Sequence, residues 1–174
     1  LVDACKGCYA TTGMYNMPNV KAPRISNKED WKRKDWVDDM VNAIFNDELF
    51  RWFDSGDCYD LRLAKKIKQV IERTPTTKHW LPTRQHKFPK FTKVLTEIAS
   101  LPNAVVRLSS DSINGGIIKG DTTSTIWSTE PPKEAFECGA YTRNGECKDC
   151  RACWDKLVKV VAYPGHGAKM LKVI

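Results

Sequence analysis

The alternation of apolar segments constrains the fold of this chain more than any other feature of its sequence. Short runs rich in β-branched and aromatic residues centre on Phe50, Trp80 and Val106, and longer runs with helical periodicity separate them. Such alternation predicts right-handed crossover units and a parallel sheet. The segments after residue 110 are too irregular for eight units. The predicted fold is therefore α/β, either a partial (β/α) barrel or an open parallel sheet.

Local patterns predict the individual elements. A polar surface segment should extend to about Ser26, and a helix capped by Asn27 should continue to Ile44, because apolar residues recur there at helical spacing. A second helix should begin at Leu61 and stop before Pro75, and a third should cover 89–100. Strands are predicted at 49–53, 79–82, 104–108, 117–118, 124–127 and 158–162. At 174 residues, the chain is expected to form one domain, 1–174.

Polar residues follow three of the predicted strands. Loops at the carboxyl ends of parallel strands commonly carry function, so these positions are candidates for a shared pocket. Helix capping and turn formation would account for any single one of them, whereas three polar strand ends together favour a site. The candidate catalytic residues are Asp57, Arg84, His86 and Asp111, and the candidate cofactor-binding residues are Asp54, Ser55, Arg84 and Ser110.

Four cysteines near the carboxyl terminus form the strongest chemical motif. Cys138 is followed, after eight residues, by Cys147, Cys150 and Cys153 in the pattern C-x-x-C-x-x-C. Consecutive C-x-x-C steps bring several thiolates around one centre, as metal sites require. Disulfides between residues three apart are strained, and free thiols at this density are prone to oxidation. The segment 138–154 therefore predicts a Cys-rich metal-binding loop packed on the α/β domain.

The spacing leaves the identity of the metal open. C-x-x-C-x-x-C is the compact loop of bacterial ferredoxins, which makes a 4Fe-4S cluster the leading cofactor, although the usual Cys-Pro is missing. Zinc is the alternative, and zinc sites more often pair two separated C-x-x-C motifs. Cys5 and Cys8 form such a motif and can join the later cysteines as ligands, act as a redox dithiol, or serve neither role.

Isolated residues carry weaker signals. Cys58 is interpreted as a structural cysteine, since free cysteine is often buried as a small hydrophobic residue. His79 is assigned to packing. His86 accompanies Arg84 at a strand end, where the two can grip a phosphate, a carboxylate or a nucleic-acid backbone. His166 lies in a tight Pro-Gly loop, where it is a ligand, a proton donor or a surface residue.

The net charge of +7 makes nucleic acid a candidate partner, but the basic residues are scattered along the chain rather than gathered in one arm. No segment approaches the ~18 apolar residues of a membrane span, and no secretory signal is visible, so a cytoplasmic location without membrane contact is expected. Because the chain opens with Leu1 and a cysteine motif at once, we also expect that an N-terminal piece precedes it.

Four blocks resemble a phage-encoded family known as gene product eighty-eight. They are CYATTGMY at 8–15, FRWFDSGDCYD at 50–60, LSSDSINGG at 108–116, and CKDCRACWD followed by YPGHG within 147–167. The family is similar to a shortened radical S-adenosylmethionine barrel. The resemblance implies a viral iron-sulfur protein with a partial barrel, located in the host cytoplasm, with nucleic acid or a host protein as candidate partners. It implies no defined activity.

The sequence departs from the radical enzymes at their cluster loop. Those enzymes supply three cysteines spaced C-x-x-x-C-x-x-C and leave one iron free for S-adenosylmethionine. Here Leu1 occupies the position four before Cys5, so that triad is incomplete. S-adenosylmethionine is therefore a candidate cofactor with an incomplete site, and a fully ligated cluster with a structural or electron-transfer role is the leading interpretation.

Overall fold

A computed structural model describes residues 2–174; Leu1, the position discussed above, lies outside them. Six strands form a sheet in the order β1-β2-β3-β4-β6-β5, and each strand pair with an assigned register is parallel. The strands are β1 (Leu49–Arg51), β2 (Lys78–Thr83), β3 (Ala104–Ser109), β4 (Thr123–Trp127), β5 (Phe136–Glu137) and β6 (Val160–Pro164). The open parallel α/β sheet predicted from the sequence is confirmed.

Five α-helices accompany the strands: α1 (Asp3–Lys6), α2 (Pro18–Asp30), α3 (Trp36–Ile44), α4 (Leu61–Arg73) and α5 (Pro89–Ser100). The chain divides into two compact units. The central unit is Ala10–Val106, and the terminal unit combines Leu1–Tyr9 with Arg107–Ile174. No helix of the described chain has both the length and the apolar character that a bilayer crossing requires.

The central unit contains β1, β2 and the helices α2 to α5. Its core is built from the apolar faces of α4 and α5, as their periodicity predicts, with Ile67, Val70, Phe91 and Ile98 almost fully buried. Asp60 caps α4, since its carboxylate accepts a hydrogen bond of 2.7 Å from the Arg62 N–H. The two helices predicted from residue 61 and over 89–100 are both confirmed.

The predicted helix from Asn27 to Ile44 is wrong. Helix α2 already begins at Pro18, which occupies the first turn, where proline is tolerated, and it ends at Asp30. A turn precedes α3 because Lys66 of α4 donates hydrogen bonds to the carbonyl oxygens of Trp31, at 2.8 Å, and Arg33. The apolar residues keep their helical spacing across residues 31–35, so the sequence pattern shows no interruption there. The hydrogen bonds at this turn come from Lys66, more than 30 residues away.

Histidine 79 is fully buried in the central unit, as the packing interpretation predicted. Its Nε2 lies 2.9 Å from the Thr74 hydroxyl, and its ring stacks on Trp52 with a centroid distance of 6.0 Å. Burial lowers the pKa of His79 from 6.5 to about 4, and the hydrogen bond with Thr74 opposes that shift only in part. The folded protein therefore keeps this imidazole neutral under conditions where the unfolded chain takes up a proton.

Protein stability should consequently fall as the pH drops below the ordinary histidine pKa. The contribution of His79 is complete above pH 6.5, is lost between pH 6.5 and 4, and amounts to about 3 kcal/mol in the free energy of unfolding. Urea unfolding across this range should show a shallower pH dependence in His79→Gln than in the wild type. The exposed His166→Gln is the control for losing a histidine, and equal slopes in wild type and His79→Gln would contradict this assignment.

The terminal unit contains β4, β5 and β6, with β6 between the other two. Val161 and Ala162 of β6 are fully buried, and a smaller cluster joins Ala4 of α1 to Ile113 and Met170. The predicted strand at 117–118 is wrong, because glycines surround these residues and Ile117 is exposed in an irregular loop. Strand β5 was not predicted from the sequence, because two residues are too few to show an alternating pattern.

Candidate metal centre

The four C-terminal cysteines belong to one segment of the terminal unit. Cys138 directly follows β5, and its N–H donates to the Ala162 carbonyl of β6 at 2.8 Å, so the parallel pairing continues to this cysteine. Cys153 lies in a short 3₁₀ helix, Ala152–Trp154, and is 7% exposed. Pairing with β6 therefore positions Cys138, and a buried 3₁₀ helix positions Cys153.

The intervening chain reverses direction twice. Asn144 and Lys148 adopt positive φ angles of 56° and 47°, and the Cys150 N–H donates to the Cys147 carbonyl at 2.9 Å. Positive φ is uncommon for residues other than glycine and marks a conformation that the surrounding structure imposes. The segment between Cys138 and Cys153 therefore consists of consecutive tight turns.

The C-terminal cysteines interact electrostatically with one another. Burial raises the pKa of Cys138, and the sulfurs of Cys147 and Cys150 raise it further. Burial raises the pKa of Cys153 to about 11, where Cys138 and Cys147 also contribute, although Tyr163 and Arg107 act in the opposite direction. All four are free cysteines. Their mutual repulsion as thiolates is what a bound cation would relieve.

A buried arginine binds the backbone of the 3₁₀ helix that carries Cys153, here called the Cys153 turn. Arg107 of β3 is 0% exposed, and its guanidinium donates to the carbonyl oxygens of Ala152 at 2.6 Å, Asp155 at 3.0 Å and Cys153 at 3.2 Å. A fourth bond, of 3.3 Å, reaches the Thr123 carbonyl. Within the described chain, no carboxylate accepts a hydrogen bond from Arg107, which leaves a buried cation bonded only to neutral acceptors.

Tyrosine 163 is the second residue that supports the turn. It lies on β6, and its hydroxyl oxygen is 3.2 Å from the sulfur of Cys153. Burial raises the pKa of Tyr163 well above its ordinary value, and the neighbouring Cys153 adds to this effect. The hydroxyl therefore keeps its proton and is able to donate it in a hydrogen bond to sulfur.

Cys5 and Cys8 lie in the same unit as the four later cysteines. Helix α1 is anchored there by a 3.1 Å hydrogen bond from the Ala4 N–H to the Asp111 carbonyl. Gly7 packs so closely on Met170 that an added Cβ would lie 2.9 Å from the Met170 Cα, so the C-x-x-C loop requires glycine here.

An aromatic stack connects this loop to the C-terminal segment. The ring of His166 lies between Tyr9 and Tyr141, with centroid distances of 6.3 and 4.6 Å. His166 is thus placed as a stacked surface residue, and its ligand and proton-donor roles stay predictions. Through Tyr9, which directly follows Cys8, the C-x-x-C loop contacts the C-terminal segment.

These residues do not form a ready site for a single ion. Across residues 2–174, no three or more His, Cys, Asp or Glu side chains are arranged so that they could hold a metal ion. A tetrahedral zinc site needs thiolates that converge to within about 4 Å of one another. A four-iron cluster is larger, and its cysteines stand further apart around it. Iron-sulfur clusters are held by cysteine thiolates, so Cys138, Cys147, Cys150 and Cys153 are the residues that would hold such a group.

The polar residues after β3 form hydrogen bonds within their own loop. The Ser110 hydroxyl oxygen accepts from the Ser112 N–H at 3.1 Å, and the Ser112 hydroxyl oxygen accepts from Asn114 and Gly116. Asp111 contributes its carbonyl to α1, as described above. Turn formation therefore accounts for the observed contacts of Ser110 and Ser112, and the cofactor-binding role of Ser110 and the catalytic role of Asp111 stay predictions.

The other polar candidates lie in the central unit. Asp57 joins two strand ends, because its carboxylate accepts from the Cys58 N–H at 2.7 Å, the Thr83 hydroxyl at 2.8 Å and the Arg84 N–H at 2.7 Å. Asp54 accepts from the Tyr15 hydroxyl at 3.0 Å. Asp57 and Arg84 are therefore in contact, as predicted for residues at neighbouring strand ends. The contact is made by the Arg84 backbone N–H.

Ser55 and His86 are the two remaining candidates of the central unit. Ser55 donates to the Asp54 carboxylate at 3.3 Å, and His86 lies in a short 3₁₀ helix after Arg84. The catalytic and cofactor-binding roles proposed for these residues stay predictions. Cys58 is 1% exposed, and burial raises the pKa of its thiol to about 12, as its structural interpretation requires.

Sequence reasoning missed Arg107 and Tyr163. An arginine inside the apolar run Ala104–Leu108 is a visible signal, because a charge on a buried strand needs a specific partner. Tyr163 gives no such signal, since tyrosine is common in strands. Both residues matter here because they contact the turn that carries Cys153.

Comparison with known proteins assigns the family. No curated protein and no solved structure matches the chain. A family model described as gene product 88 matches residues 3–156, which include the four C-terminal cysteines, the C-x-x-C loop and all the strand-end candidates. The chain therefore belongs to the gene product 88 family of phage proteins.

Proposed function

We propose that this phage protein binds an iron-sulfur cluster, of the 4Fe-4S type, through Cys138, Cys147, Cys150 and Cys153. The observation that carries the proposal is the position of four free thiols in one segment, where Cys138 and Cys153 are partly or fully buried and interact electrostatically with Cys147. Such thiols gain most from a cation that all of them can ligate as thiolates.

The buried charge of Arg107 favours an anionic group near Cys153. A buried guanidinium is stabilised by nearby negative charge, and its observed hydrogen bonds go only to carbonyl oxygens. Burial lowers the pKa of Arg107, while the ionisable groups of Tyr163, Cys153 and Asp155 favour its charged form. Deprotonating the cysteines around a cluster would place compensating negative charge beside Arg107.

Four cysteine ligands would leave no iron free for a substrate, which favours electron transfer or structural stabilisation. When bound, the cluster would supply one-electron chemistry. The chain would hold Cys138 directly after β5 and keep Cys153 away from solvent. Binding of S-adenosylmethionine is not part of the proposal, because Leu1 replaces the first cysteine of the radical-enzyme loop. The host cytoplasm, where thiols stay reduced, is the compartment that suits this chemistry.

An open depression of about 350 Å³ lies beside one of the proposed ligands. It is lined by Phe136, Cys150, Arg151, Ala152, Asp155 and Val158. Electron transfer requires a donor or acceptor to approach the cluster, and this depression offers a route to its Cys150 side. A redox role for the cluster is therefore compatible with access from the protein surface.

Metal analysis of anaerobically purified protein tests the proposal. We expect a brown protein that absorbs broadly in the visible region and contains iron and acid-labile sulfide. Cys150→Ala should lose most of both. The matched control is Cys58→Ala, which removes a buried cysteine of the central unit and should retain the wild-type iron content. A double Cys5→Ala and Cys8→Ala variant shows whether the N-terminal pair contributes ligands.

A colourless protein with one zinc per chain would reject the cluster. That outcome would favour the alternative of a zinc-stabilised protein that binds nucleic acid or regulates a host protein. The charge of +7 is the observation behind this alternative. Binding of a labelled oligonucleotide that weakens steeply with salt would then support it, since phosphate contacts release counterions.

A further inference from the structure

We propose that Tyr163 tunes the reduction potential of the iron-sulfur cluster by donating a hydrogen bond to the sulfur of Cys153. The inference rests on the proposed function, because it concerns a ligand of that cluster. Its basis is one contact, since the Tyr163 hydroxyl oxygen lies 3.2 Å from the Cys153 sulfur, well within hydrogen-bond range for sulfur.

The direction of the hydrogen bond follows from the chemistry of a ligand cysteine. A free thiol and a phenol can each donate to the other. A thiolate that ligates iron has no proton, so the phenol is then the only donor of the pair. Tyr163 is rigidly placed for this role, because β6 pairs with β4 on one side and with β5, which leads into Cys138, on the other.

Hydrogen bonds from Arg107 anchor the backbone of the turn around Cys153. Arg107 binds the carbonyl oxygens of Ala152, Cys153 and Asp155, three residues of that turn. These bonds fix the backbone from which the Cys153 sulfur projects towards the Tyr163 hydroxyl. Hydrogen bonds held this firmly to cluster sulfurs are among the main means by which proteins set a reduction potential.

The expected effect has a definite sign. Reduction by one electron, supplied in a titration by dithionite, adds negative charge to the cluster and its ligand sulfurs, and no bond to Cys153 or Tyr163 breaks. A donor at the sulfur stabilises the more negative, reduced form and raises the potential. A tenfold change in the equilibrium constant for reduction corresponds to about 59 mV for one electron.

The test is a reductive titration of purified, cluster-loaded variants. Tyr163→Phe, which keeps the ring and loses the hydroxyl, should lower the midpoint potential by about 59 mV, a tenfold loss in the equilibrium constant, with iron content unchanged. Tyr141→Phe is the matched control, since its side chain is 58% exposed in the same unit, and its potential should equal that of the wild type. Incorporating 3-fluorotyrosine at position 163, a stronger donor, should raise the potential.

The outcomes separate this inference from the proposed function. A Tyr163→Phe protein with wild-type iron and an unchanged potential overturns the role of Tyr163 and leaves the cluster intact. If Tyr163→Phe does not retain a cluster, the fluorotyrosine protein decides, and an unchanged potential there overturns the inference. A wild type that contains no iron and sulfide overturns the proposed function itself.

Discussion

Replacing Arg107 by methionine should lower the free energy of unfolding by about 3 kcal/mol and remove most of the bound iron. Methionine fills much of the same volume but donates no hydrogen bond. The carbonyl oxygens of Ala152, Cys153 and Asp155, together with that of Thr123, would lose their donor in a region where Arg107 itself is inaccessible to water.

Two opposing energies decide the size of this effect. Removing a buried charge recovers several kcal/mol of desolvation, and buried ion pairs can often be replaced by apolar side chains at little cost. Here the acceptors are backbone carbonyls, which no side-chain substitution can remove. Four hydrogen bonds from a charged donor contribute about 1.5–3 kcal/mol each. Their sum exceeds the recovered desolvation, so the substitution should be destabilising.

Urea unfolding and iron analysis measure both consequences. Arg62→Met is the control for loss of an arginine, because its side chain is 76% exposed and its ion pair with Asp60 should contribute less than about 1 kcal/mol. Arg107→Lys should give an intermediate result, since it keeps the charge without the planar fork. Wild-type stability and iron content in Arg107→Met would show that Arg107 does not support the Cys153 turn.

The second large effect is expected in the central unit, where Asp57→Ala should lower the free energy of unfolding by about 2 kcal/mol. The Asp57 carboxylate accepts three hydrogen bonds, and two of them come from Thr83 and Arg84 at the end of β2. Hydrogen bonds to a charged acceptor are stronger than neutral ones. Because Asp57 is only partly buried, water replaces some of what is lost, which keeps the effect below the sum of three bonds.

Asp57→Asn separates charge from shape. Asparagine has one acceptor oxygen, so its amide NH2 group would point at one of the donors that the carboxylate binds in the wild type. The free energy of unfolding should therefore fall by about 1 kcal/mol. Asp54→Asn is the matched control in the same loop, since Asp54 is exposed, and it should remain within about 0.5 kcal/mol of the wild type. Unfolding curves of Asp57→Ala that match the wild type would mean that this carboxylate does not connect the strand ends.

Local periodicity was sufficient wherever neighbours in sequence determine the structure. Helix α5 has the predicted bounds because Pro89 begins it and its apolar stripe faces one core. Periodicity failed at residues 31–35, where Lys66 binds the Trp31 and Arg33 carbonyls from another helix and interrupts a run that looks continuous. Such a contact leaves no trace in the local pattern.

The strand-end candidates show the same division. That Asp57 and Arg84 meet follows from parallel strands ending at one edge, which the alternation of elements predicts. The contact uses the Arg84 N–H, however, and every backbone carries one, so no residue type could reveal it.

Two properties of this protein follow from its residue order alone, the parallel α/β sheet and the C-x-x-C spacing of three cysteines, because both depend on residues close together in the chain. The residues that contact Cys153 could be identified only from the folded chain. Arg107 is 46 residues from Cys153 and contacts it because β3 and β6 flank β4, an order that strand spacing alone does not encode. A buried charge takes its partners from whatever the fold brings near it, and that arrangement gives Cys153 a cation and a phenol as neighbours.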